Sequence, residues 1–131
     1  MGRQERKDSG SETEGRAPVI LNRIQEIVCG DRDCERELID TFLESNQEHF
    51  IVLDSALRSM DATVVEHEAH SIKGASGNMG AEQMEKLAKA IEDFGERGDL
   101  DSALEVFDSL KAEFERVRRY LEEYLKDMEN K

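Results

Sequence analysis

The chain has 131 residues, 37% of them hydrophobic and 37% charged, with a formal net charge of -13. That length fits one domain, and so large an excess of acid argues against nucleic acid as a partner, because binding phosphates needs the opposite sign. The apolar runs are only a few residues long, far short of the roughly 20 that a membrane span needs, and no charged segment followed by an apolar one opens the chain as a secretion signal would; no membrane association and a cytoplasmic location are expected.

Residues 1–16 hold four basic and four acidic side chains and no apolar one beyond Met1. Such a segment cannot offset its ordering entropy by burial, so residues 1–17 are expected to be a disordered tail or linker and residues 18–131 the folded domain. Ile20, Ile24 and Ile27 recur at helical spacing after Pro18, and Gly30 closes that short unit. Asp31 or Asp33 can cap a long second helix carrying Ile39, Phe42, Phe50, Leu53 and Leu57. Asp61 can cap a third from Ala62 to Asn78, ended by Gly80. A fourth carries Met84, Leu87, Ala88, Ile91 and Phe94 and ends at Gly95 or Gly98. Asp101 can cap the fifth, whose stripe runs Leu104, Phe107, Leu110, Phe114, Val117, Leu121, Tyr124 and Met128 in steps of three or four. No segment alternates long enough to be a strand, so the expected fold is all-α: an antiparallel four-helix bundle with an additional short N-terminal helix. The two cysteines, Cys29 and Cys34, are too few for a disulfide framework and read as ordinary reduced thiols.

The third helix carries the informative stretch. Its core register is Val65, Ala69, Ile72, Ser76 and Met79. At about 100° per residue, His70 stands about 160° from Ile72, and Lys73, Gly74 and Gly77 fall within about 60° of His70. A histidine, a lysine one turn later and two glycines therefore share one outward strip. Each glycine costs roughly 1 kcal/mol against alanine in a helix interior, a cost that helix stability alone would not select. Bare backbone around an exposed imidazole lets another molecule approach it closely. Lys73, about 5–6 Å from the histidine, is a natural charge partner for phosphate oxygens, and a neutral imidazole can form a covalent intermediate. A surface histidine, a solvated lysine and a glycine at a helix end are each bland alone; their convergence opposite the core is not.

The run His70-Ser71-Ile72-Lys73-Gly74-Ala75-Ser76-Gly77-Asn78-Met79-Gly80-Ala81 resembles the motif of histidine-containing phosphotransfer (HPt) domains, and the helix layout of residues 18–131 is similar too. The resemblance implies that His70 accepts a phosphoryl group, typically on Nε2, from a receiver-domain aspartate and passes it to a second receiver. It implies that Lys73 neutralises the phosphate, that Gly74 clears space for the docking receiver and that Gly77 extends the clearance. His67 and Ser71 are expected beside them as further docking residues. It also implies a carrier without catalysis or cofactor of its own, since the receiver supplies the acidic pocket and Mg²⁺. The expected partners are receiver domains of response regulators or a hybrid sensor histidine kinase, and a monomer is expected because the outer helix faces are heavily charged. Met79 stands where Leu, Ile or Val is commoner, and His67, one turn before His70, is outside the motif.

Three other functions compete with phosphotransfer. A di-iron bundle needs Glu-x-x-His motifs, but the residues three before each histidine are Asn46, Val64 and His67, so no metal site is expected. No Gly-rich nucleotide loop supports autonomous kinase activity. A phosphate-free docking or adaptor module remains the alternative.

Overall fold

A computed structural model describes residues 17–130. The expected tail, Ala17 apart, lies outside the described residues. Five helices follow in order: α1 (Leu21–Val28), α2 (Arg32–Arg58), α3 (Ala62–Asn78), α4 (Glu82–Arg97) and α5 (Leu100–Glu129). Connections of two to three residues force each long helix antiparallel to the one before. The long helices close a ring, α2 on α3, α3 on α4, α4 on α5 and α5 back on α2, with the α3–α4 contact the most extensive. This is the expected four-helix bundle with a short N-terminal helix.

The starts of three helices are fixed by aspartates accepting backbone N–H groups that the helix itself cannot pair. Asp31 accepts from Cys34 N at 3.0 Å and begins α2; Asp61 accepts from Val64 N at 3.3 Å and begins α3. For α5 the cap is Asp99, not Asp101: Asp99 accepts from both the Ser102 N–H and its hydroxyl. Asp101 instead stands inside the first turn, where a carboxylate complements the helix dipole without capping.

The buried stripe of α5 differs correspondingly. It begins with Leu100 and Ala103 and runs through Phe107, Leu110, Phe114, Val117, Leu121 and Leu125. Leu104 is 48% exposed, because it falls about a quarter turn from the centre of that face. Tyr124 and Met128 flank the stripe, partly buried. Phe50 of α2 stacks on Phe114 at 4.7 Å between ring centroids and meets Phe107 at 6.0 Å, joining the two helices at mid-core. The α3 register holds throughout: Val65, Ala69, Ile72, Ser76 and Met79 are all buried.

Helix α1 is anchored less by its own stripe than by the α3–α4 turn. Of its three isoleucines only Ile24 is fully buried, beside Val19; Ile27 is 54% exposed. Ile20 N donates to Gly80 O at 3.0 Å, Arg23 Nη1 donates to Gly77 O at 3.0 Å, and Arg23 pairs with Glu82 at 3.6 Å. Gly80 turns the chain at φ 74°, and a Cβ there would lie 2.9 Å from Ile20 O, so the turn and the seating of α1 depend on the same missing side chain.

Of the two glycines expected to end α4, Gly98 does so, at φ 75°. Gly95 is buried inside the helix, where a Cβ would stand 3.1 Å from Glu66 N and 3.2 Å from Glu66 Cα. It is the point at which α4 lies close against α3. Gly95→Ala is expected to destabilise the protein by roughly 1–3 kcal/mol, despite alanine's better helix propensity, because backbone must move to admit the methyl group. Urea unfolding measures this; a gain in stability would show that the two helices do not meet there.

Candidate functional site

His70 sits in the middle of α3 with its side chain 65% exposed. Its Nδ1 lies 2.7 Å from Oε2 of Glu92, which reaches across from α4. The second carboxylate oxygen, Glu92 Oε1, lies 2.7 Å from the Lys73 ammonium. One carboxylate thus holds the imidazole and the cation one turn further along α3. Glu92 is itself only 16% exposed, walled in by the helices it bridges.

The ionisation state of Glu92 decides the chemistry. Burial acts to raise its carboxyl, but the contacts with Lys73 and His70 outweigh burial and hold it below its ordinary range. An ionised carboxylate can only accept. In the neutral ring Nδ1 must therefore carry the proton it donates to Glu92, leaving the lone pair on Nε2. Among the described residues nothing bonds Nε2, so this nucleophilic nitrogen faces outward.

The remaining strip residues divide. Gly74 is exposed, and a Cβ added to it would meet nothing within 4 Å. Gly77 differs from expectation: its missing Cβ would stand 2.8 Å from Glu85 Oε2, so it accommodates a side chain of α4 rather than opening the surface. His67 is exposed and Ser71 half-buried, the Ser71 hydroxyl donating to His67 O at 3.3 Å within the helix; neither side chain is hydrogen-bonded to the His70 ring. His49 makes a second histidine–carboxylate contact, Nδ1 to Glu68 Oε1 at 2.7 Å between α2 and α3, without a lysine on the carboxylate. Among the described residues no group of three or more His, Cys, Asp and Glu side chains could hold a metal ion, and no helix is long and apolar enough to cross a membrane.

The family model of the Hpt domain matches residues 37–120, more than half of the chain. The chain belongs to the Hpt domain family. It is 28% identical over 98 residues to the phosphorelay intermediate protein rdeA of Dictyostelium discoideum, a match covering 75% of this chain and 39% of that protein. The chain thus spans about two fifths of that relative's length. The crystal structure of histidine-containing phosphotransfer protein B (HptB) from Pseudomonas aeruginosa PAO1 superposes with a TM-score of 0.79 and 29% identity, over 84% of this chain and 96% of that one.

Within this Hpt domain, Glu92 is the residue that reading along the sequence missed. It is one of several glutamates on α4, and no local motif singles it out. A signal was nevertheless available: in a hairpin of two helices joined by a tight turn, residues equally far from the turn face each other, as Gly77 faces Glu85 and His70 faces Glu92. Because the folded protein depresses the Glu92 carboxyl, its contribution to stability is complete above its ordinary value of 4.5 and is lost as the pH falls. Wild type should accordingly be more stable than Glu92→Gln near pH 7, the gap narrowing as the pH falls below 4.5. A gap independent of pH in urea unfolding would mean that the Glu92 charge does not stabilise the fold.

Proposed function

We propose that this Hpt domain, residues 18–131, relays a phosphoryl group between receiver-domain aspartates of a two-component system through phospho-His70. The observation that carries the reading is the grip of Glu92 on Nδ1. It sets the tautomer in which Nε2 bears the lone pair, and it fixes the ring while leaving that nitrogen in solvent. The logic is that of a carboxylate orienting a catalytic histidine, with the imidazole here as nucleophile rather than base.

In transfer, the Nε2 lone pair attacks the phosphorus of a receiver's aspartyl phosphate. The N–P bond forms as the P–O bond breaks, and the electron pair leaves with the aspartate carboxylate. Lys73, held beside the ring by Glu92, offsets the charge of the incoming phosphoryl oxygens. Gly74, one turn beyond His70, leaves bare backbone where the receiver must approach. Among the described residues no further side chain is bonded to the ring at Nε2; in this reading the domain serves as a carrier, and a receiver with its Mg²⁺ would supply the remaining stabilisation. Receivers of response regulators or of a hybrid sensor kinase are the partners this chemistry requires, and the cytoplasm is where such partners would meet it. A docking module without phosphate would leave the His70–Glu92–Lys73 arrangement without a use.

The test is transfer from a phosphorylated receiver in Mg²⁺. Wild type and His67→Gln should acquire acid-labile, base-stable phosphate, and His70→Gln none while keeping its helical circular dichroism. Gly74→Gln should slow transfer by about tenfold or more, since misplacing reacting groups by an ångström is costly. Lys73→Ala should also slow it. Labelling of His70→Gln, or transfer unaffected by a bulky residue at 74, would contradict the assignment.

A further inference from the structure

When a neutral imidazole takes a phosphoryl group on Nε2, the ring becomes a cation unless the Nδ1 proton departs. Departure would leave an Nδ1 lone pair facing Glu92 Oε2, which in the resting protein lies 2.7 Å away. Two lone pairs would then oppose each other at hydrogen-bond distance, one of them on an anion. The carboxylate cannot turn freely to escape, because its other oxygen is paired with Lys73 at 2.7 Å. Keeping the proton instead gives a charge-assisted hydrogen bond to a carboxylate that is itself mostly covered.

Resting on the reading of His70 as phosphoacceptor, we propose that Glu92 keeps Nδ1 protonated after phosphorylation, so that the group is carried as a phosphoimidazolium poised for onward transfer. Inward transfer forms N–P, breaks P–O and moves no proton. Outward transfer breaks N–P, and the electron pair returns to Nε2. The ring leaves as neutral imidazole, a far better leaving group than the imidazolate that an unprotonated phosphoimidazole would have to release. Both directions then run without a proton acceptor, as a reversible relay between two aspartates requires. Glu92 is thus a positioning residue that also sets how tightly the phosphoryl group is held. Glutamine at 92 would reverse the preference, because its amide N–H can donate to an unprotonated Nδ1 and stabilise the slow-releasing form.

The experiment labels wild type, Glu92→Gln and His70→Gln with phosphoramidate, which donates phosphate to histidine without a receiver. Histidine ¹⁵N NMR then reads the Nδ1 protonation state, and the decay of phosphohistidine at neutral pH is timed. Wild type should show a protonated Nδ1 in the phosphorylated ring. Glu92→Gln should show an unprotonated one and a lifetime longer by roughly tenfold, the scale on which one charge-assisted hydrogen bond shifts an equilibrium. An unprotonated Nδ1 in phosphorylated wild type, or equal lifetimes, would overturn the proposal while leaving His70 as acceptor. Equal labelling of His70→Gln would instead remove the acceptor assignment on which the proposal rests.

Discussion

Glu92 reaches from α4 to α3 and meets two nitrogens there, Nδ1 of His70 and Nζ of Lys73, each at 2.7 Å. Neither nitrogen would be held in place without it, since both belong to side chains on the outer half of α3. The carboxylate needs both in turn: half-buried charge is costly unless paired and hydrogen-bonded. Its register across the helix pair is set by the surrounding architecture. Gly95 lets α4 lie against the backbone of α3, Gly80 turns the chain between the two, and Arg23 of α1 ties the end of α3 to the start of α4. Structural residues with no chemistry of their own therefore decide the geometry of a reactive nitrogen.

The site divides its groups by exposure. His70 stands mostly in solvent, where a partner can reach it, while Lys73 and Glu92 are largely covered. The nucleophile is thus accessible and its orienting groups are protected. What is held is the state of the ring, and what is left open is the surface at Gly74, as the proposed relay between receivers would require. The net charge of -13 favours association with partners that present basic groups.

Much of the fold was legible in the sequence because helix periodicity and capping are local signals. The α3 register, from Val65 to Met79, and the caps Asp31 and Asp61 were set by residues within a few positions of one another. The errors arose where two local answers were nearly equal. Asp99 and Asp101 both precede α5, and only the Ser102 N–H and hydroxyl decide between them. Leu104 continues a three-four spacing equally well on paper, yet it lies off the face that Leu100, Ala103 and Phe107 define. At the site, the shared placement of His70, Lys73 and Gly74 was legible because all three lie on one helix. Glu92 was not, because its meaning depends on which helix faces α3 and in what register. Gly77 was misread for the same reason, since Glu85 covers it from the neighbouring helix.

The proposed chemistry of His70 depends first on the tautomer of its ring in the unphosphorylated protein. Long-range ¹H–¹⁵N correlation spectra at mildly alkaline pH locate the ring proton without any partner or phosphate donor. The proton is predicted to reside on Nδ1, with Nε2 showing the shift of an unprotonated nitrogen. A proton on Nε2 would mean that Glu92 does not hold the ring, and the nitrogen left with the lone pair would face Glu92 instead of solvent.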